Sequence, residues 1–106
     1  MSRSFAENLA GLPAVDHIVA LELRDDSGQM LAKIENKSGS AGSVRVYSYL
    51  TTKWGNISQQ AAKDGLEMYA EHTDDARANP GRHPNIDRLL DVANNGSVYQ
   101  VKIIET

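Results

Sequence analysis

Residues 15–35, VDHIVALELRDDSGQMLAKIE, decide how this chain is read. Val19, Leu21 and Leu23 alternate with Ala20, Glu22 and Arg24, the period of two that a strand imposes. Ile18 and Ala20 make the first half of that strand, Val15 to Arg24, apolar on both faces, as expected of a central strand. Asp25-Asp26-Ser27-Gly28 then supplies turn chemistry, with Gly28 free to take a positive φ. From Gln29 to Glu35 the alternation resumes, with Met30, Ala32 and Ile34 on one face. Two strands around a tight turn make a β-hairpin, and an antiparallel sheet follows from it.

Ahead of the hairpin, Ser4 and Glu7 form a capping-box pattern, and Phe5, Leu9 and Leu12 mark one apolar stripe. Gly11 and Pro13 stop what reads as a short helix, about Ser4 to Ala10. After the hairpin, residues 36–43 are a polar, glycine-rich connector. The next segment, Ser43 to Trp54, carries two periods at once. Val44, Val46, Ser48 and Leu50 alternate as in a strand, while Val44, Tyr47, Leu50 and Trp54 follow helical spacing. Its length, and Gly55 where a helix C′ residue belongs, decide for helix.

Ser58 caps a further helix, and Ile57 before it can staple onto Ala62. Ala62, Leu66, Tyr69 and Thr73 fall on its core stripe. Gly65 in mid-helix costs about 1 kcal/mol relative to alanine. With Ala61 it leaves a smooth strip where another element can approach closely. The helix is expected to run to about Arg77, where Asn79-Pro80-Gly81 ends it. His83-Pro84 starts the last helix, with Ile86, Leu89, Leu90 and Ala93 as its buried face and Asn94-Asn95-Gly96 as its stop. Val98 to Glu105 alternates again and closes the order α-β-β-α-α-α-β. That order predicts an α+β fold: a small, mostly antiparallel three-stranded sheet with helices packed on one face.

A length of 106 residues fits one domain. A net charge of −3 argues against a general nucleic-acid binder, whose affinity comes from Lys and Arg neutralising phosphates. The complete lack of cysteine excludes a disulfide framework, thiol catalysis, iron–sulfur clusters and thiolate zinc sites. The first residues, Met1-Ser-Arg-Ser-Phe, lack the apolar core of a secretory signal, and no run is long enough to span a bilayer. A cytoplasmic protein without membrane or nucleic-acid partners is expected.

Chemistry concentrates between Ala70 and Arg88, which hold two of the three histidines and three arginines. Glu67, Glu71 and Asp75 stack at i, i+4 and i+8 as an acidic ladder opposite the core stripe, facing solvent. Arg77, Arg82 and Arg88 are its candidate counter-charges. His72 lies at the border of core and acidic face, and His83 precedes a proline at a helix start. Packed side by side, the last two helices would bring His72, Asp75, His83 and Asp87 together. No compact zinc signature is present, and no metal or cofactor is expected. Arg82, His83 and Asn85 instead stand at a helix N-terminus, where unsatisfied amides favour an anion, with Arg77 and Arg88 close enough to add contacts. The Ser38–Ser43 loop is a second anion candidate without the Gly-Lys-Ser/Thr of a P-loop. There is no nucleophile elbow. Two functions therefore follow: a non-catalytic module that binds a partner or small anion through residues 71–88, or a small enzyme with His72 or His83 as acid–base or metal-holding residue.

Glu71-His72-Thr73, Asp75-Ala76-Arg77, and Pro80-Gly81 followed by His83-Pro84-Asn85-Ile86-Asp87-Arg88-Leu89 resemble a bacterial family of proteins of similar length, catalogued as a domain of unknown function. The likeness extends to Phe5-Ala6-Glu7-Asn8-Leu9 and the hairpin. It implies a bacterial, cytosolic, single-domain protein and carries no activity and no catalytic residues.

Overall fold

The computed structural model describes residues 4–105; Met1 to Arg3, part of the stretch read for a leader, and Thr106 lie outside them. The elements are α1 (Phe5–Ala10), β1 (Ile18–Arg24), β2 (Met30–Glu35), α2 (Ala41–Trp54), α3 (Gln59–Tyr69), α4 (Glu71–Ala78), α5 (Pro84–Asn95) and β3 (Gln100–Glu105). The fold is α+β, with one antiparallel sheet in the order β2-β1-β3. β1 is the central strand, as its two-sided apolar start predicts.

Pairing sets which residues face the helices. Leu21 lies opposite Ile34 and Ile103, and Leu23 opposite Ala32 and Val101, so these share the covered face. Glu22 lies between Lys33 and Lys102 on the other face. There Arg24 bonds to the Glu22 carboxylate and, with the two lysines, holds its pKa below the ordinary value. Strict alternation places Val19 with Leu21 and Leu23, and the structure corrects this. The register with β3 shifts between Ile18 and Ala20, so Ile18 turns inward and Val19 is 48% exposed. A second shift opposite Leu23 and Arg24 turns Met30 and Leu31 outward as well.

The capping box of α1 forms as expected, with the Ser4 hydroxyl accepting from the Glu7 amide and the Glu7 carboxylate from the Ser4 amide. Residues 41–54 are helical. Val44, Tyr47 and Leu50 are buried, and Gly55 takes the left-handed conformation that ends the helix, with φ of 84°. On α5, Ile86 and Leu89 are buried as expected, joined by Val92, while Leu90 and Ala93 are half-buried. Ile57 and Tyr99 exchange backbone hydrogen bonds at 2.9 and 3.1 Å, tying the start of α3 to the sheet just before β3.

The single helix expected from Ser58 to Arg77 is two. The chain breaks at Ala70, whose φ of 52° and ψ of −117° suit the first central residue of a type II′ turn, a place usually held by glycine. Alanine is the best helix former, so propensity gives no warning of this break. The buried Thr73 hydroxyl donates to the Leu66 carbonyl at 2.6 Å, filling an acceptor that the end of α3 leaves open. Ala62, Leu66, Tyr69 and Thr73 all stay buried, so the core stripe survives the turn.

At Gly65, α3 packs closely against side chains of both α2 and α5. A Cβ there would lie 2.8 Å from Leu50 Cδ1 on α2 and 2.8 Å from Leu89 Cδ1 on α5. Gly65→Ala is expected to cost about 1–3 kcal/mol through overpacking, less the roughly 1 kcal/mol that alanine contributes as a helix former. Ala70→Gly is expected to gain up to about 1 kcal/mol by relaxing the turn. Urea unfolding of both variants checks the pair: stabilisation by the first, or a loss near 1 kcal/mol in the second, contradicts the packing and backbone described.

Candidate functional site

Breaking the helix at Ala70 takes Glu67 out of the acidic ladder and leaves Glu71 and Asp75 one turn apart on α4. Glu71 turns to the N-terminal segment, where its Oε1 accepts from the Phe5 amide at 2.8 Å. That bond and its own amide hold the Glu71 carboxyl below its ordinary value. Asp75, one turn further along α4, gathers donors from the loop after that helix. His83 Nε2 lies 2.6 Å from Asp75 Oδ2, Asn79 Nδ2 donates to Oδ1 at 3.0 Å, and Arg82 stands 3.7 Å away. The His83 bond above all, with the Arg82 charge behind it, keeps Asp75 ionised below the usual carboxylate range. Arg82 thus does fold back as a counter-charge, as Arg77 does to Asp74 at 3.8 Å. Arg88 bonds the side chain of Asn85 instead.

His72 and His83 come together. Their ring centroids are 5.7 Å apart, and His72 meets the Phe5 ring edge-on at 5.0 Å. Both line a cavity of about 470 Å³ between α1, α2, the end of α3 and the start of α5. Arg82 and Asn85 also line it. Of the other residues expected at one site, Asp75 stands behind His83. Asp87 accepts from the Gly81 amide at 2.9 Å and braces the Pro80-Gly81 turn. Glu71 and Arg77 line a different, wider groove along α1, α3 and α4. That groove carries more acids than bases, but its acids are mostly engaged: Asp64 by Lys53 and Trp54, Glu71 by Phe5, Asp74 by Arg77.

The second anion candidate proves to be part of the first. Gly39, Gly42 and Ser43 line the same cavity, beside Phe5, Leu9 and Tyr69. Two helix starts therefore meet there, and neither has a side-chain cap. The Ser40 hydroxyl, placed to cap α2, donates to the Glu35 carbonyl at 2.5 Å. The His83 ring, placed to cap α5, is turned onto Asp75. Helix geometry leaves the amides of Gly42 and Ser43 on α2, and of Asn85 on α5, without partners inside their own helices. Phe5, Leu9 and the α2 residues escape a reading confined to residues 70–88, because they arrive from more than 25 positions upstream. Their signals were present as the Phe5–Leu9 apolar stripe and the glycine-rich loop. Among the described residues, no group of three or more His, Asp or Glu is placed to hold a metal ion.

What the fold and cavity define is a small α+β protein with one chemically mixed pocket set between two helix starts. Residues 5–103 match the family described as an uncharacterized protein conserved in bacteria (DUF2322), and the chain belongs to that family. Neither the curated proteins nor the solved structures include a significant match to it. Among the described residues, no helix is long and apolar enough to cross a membrane.

Carboxyls held low in the folded state take up protons on unfolding. Glu71 and Asp75 therefore stabilise the fold above their unfolded pKa values near 4, and cease to as the pH falls through their lower folded values. Glu71→Ala is expected to lower stability at pH 7 and to matter little at pH 2. Urea unfolding at both pH values checks this, and an equal loss at each, or none at pH 7, contradicts the Phe5 bond.

Proposed function

We propose that this protein is a non-catalytic binding module of the bacterial cytoplasm whose pocket takes a small anion. The observation that carries the reading is the meeting of two uncapped helix starts with Arg82, His72 and His83 around one cavity. Each helix start presents amide protons and the positive end of its dipole, and a bound anion satisfies both. Arg82, whose side chain is 65% exposed, reaches the mouth and adds a charge-assisted donor. Phosphate added to the labelled full chain is expected to move the amide resonances of Gly42, Ser43, Arg82, His83 and Asn85. Arg82→Ala should weaken binding about tenfold, the ratio set by a charged hydrogen bond of roughly 1.5 kcal/mol. No movement at millimolar phosphate overturns the reading.

The bond from Asp75 to His83 favours a second reading, acid–base chemistry in the same pocket. A carboxylate only accepts, so the proton of a neutral His83 belongs on Nε2, and Nδ1 is left as a base. Long-range nitrogen correlation spectra of the neutral ring test this. They should place the proton on Nε2, and a proton on Nδ1 removes the base.

A further inference from the structure

The pocket has a wall that an inorganic anion would leave unused. Four rings succeed one another along it. Tyr69 and Phe5 stack with centroids 5.1 Å apart and planes inclined by 24°. Phe5 meets His72 at 90°, and His72 meets His83 at 52°. Leu9 and Ile86 extend the apolar lining. Phe5 and His72 are only half-buried, so part of each ring remains open to an occupant. A cavity of about 470 Å³ is in the range that holds a small organic molecule and far exceeds what phosphate fills.

The polar groups are set apart from this wall. Tyr69 is buried, which pushes its phenol pKa well above the ordinary value, and its hydroxyl donates to Ser43 Oγ at 2.6 Å. Ser43 accepts there, so its own hydroxyl proton is left to donate elsewhere. Ser43 belongs to the uncapped first turn of α2, and Arg82 stands on the opposite lip of the same cavity.

We infer that the ligand is a small organic anion built on a flat ring, its carboxylate or phosphate directed to Ser43, Arg82 and the helix-start amides and its ring laid against Phe5 and His72. This rests on the anion reading above and adds the chemical class of the anion. An edge or face contact with aromatic side chains supplies affinity that inorganic phosphate cannot draw on. Arg82, the Ser43 hydroxyl and the helix-start amides favour an anionic over a neutral ring.

Four probes on the labelled native chain decide the matter: inorganic phosphate, phenyl phosphate, benzoate and benzyl alcohol. At least one of the two ring-bearing anions is expected to bind about tenfold or more tighter than phosphate and to shift the ring protons of Phe5 and His72. Which of the two binds better tells phosphate esters from carboxylates. Phe5→Leu should erase the preference for ring-bearing anions while leaving phosphate binding in place, and Ser43→Ala should weaken every anion. Ring-bearing anions that bind no tighter than phosphate overturn this inference and leave the anion reading standing. Benzyl alcohol binding as tightly as benzoate overturns it too, and no binding by any probe overturns both. The comparison among probes needs no variant, so it holds even if Phe5→Leu fails to fold.

Discussion

Everything in the helical layer depends on how closely α3 can lie against its neighbours, and Gly65 sets that distance. With no Cβ, the α3 backbone accepts Leu50 from one side and Leu89 from the other. A side chain there would have to displace the ends of the Leu50 and Leu89 side chains. The starts of α2 and α5 border the pocket, so the closeness at Gly65 also fixes the distance across it. Tyr47 reinforces the arrangement: fully buried on α2, it donates its hydroxyl to the Asn85 carbonyl in the first turn of α5 at 2.5 Å. Packing and polar anchoring thus agree on one geometry, which is what holds binding groups on separate elements at a constant separation.

The break at Ala70 takes Glu67 on α3 out of the row that a continuous helix would have made with Glu71 and Asp75. Glu71 holds the N-terminal helix by its first amide. Asp75, one turn on along α4, orients His83. Each of these two carboxylates has its own donors, which offsets the repulsion between them. A single residue at positive φ, normally costing about 1–3 kcal/mol, is offset by the Thr73 hydroxyl and by the contacts each half of the helix then makes.

Much of this was legible in the sequence where local rules suffice. The hairpin showed in its alternation and its Gly28 turn, α1 in its capping box, and α2 in the Gly55 stop that outweighed its strand-like period. Gly65 announced a close approach, though not the identity of Leu50 and Leu89. The Ala70 break was hidden because alanine favours helix and the turn is imposed by tertiary contacts. The two strand bulges were hidden likewise, since nothing in alternating residues states where a register slips. Of the pocket, His72, Arg82, His83 and Asn85 could be named from residue type and helix position. Phe5 and Ser43 could not be joined to them, because only the packed helices bring those segments together.

The sheet order carries a consequence for how the molecule assembles. The hairpin joins β1 to β2 across a few residues, but β1 meets β3 by pairing Ile18 with Glu105 and Leu21 with Ile103. The central strand, the most buried of the three, therefore keeps one edge unpaired until residues 100–105 have been made and brought back. Contacts so distant in sequence slow folding, and an open edge invites strands from other chains. The paired hydrogen bonds between Ile57 and Tyr99 hold the chain beside the helical layer one residue before β3 begins. In the folded chain the β3 pairing therefore continues from a bridge at the start of α3.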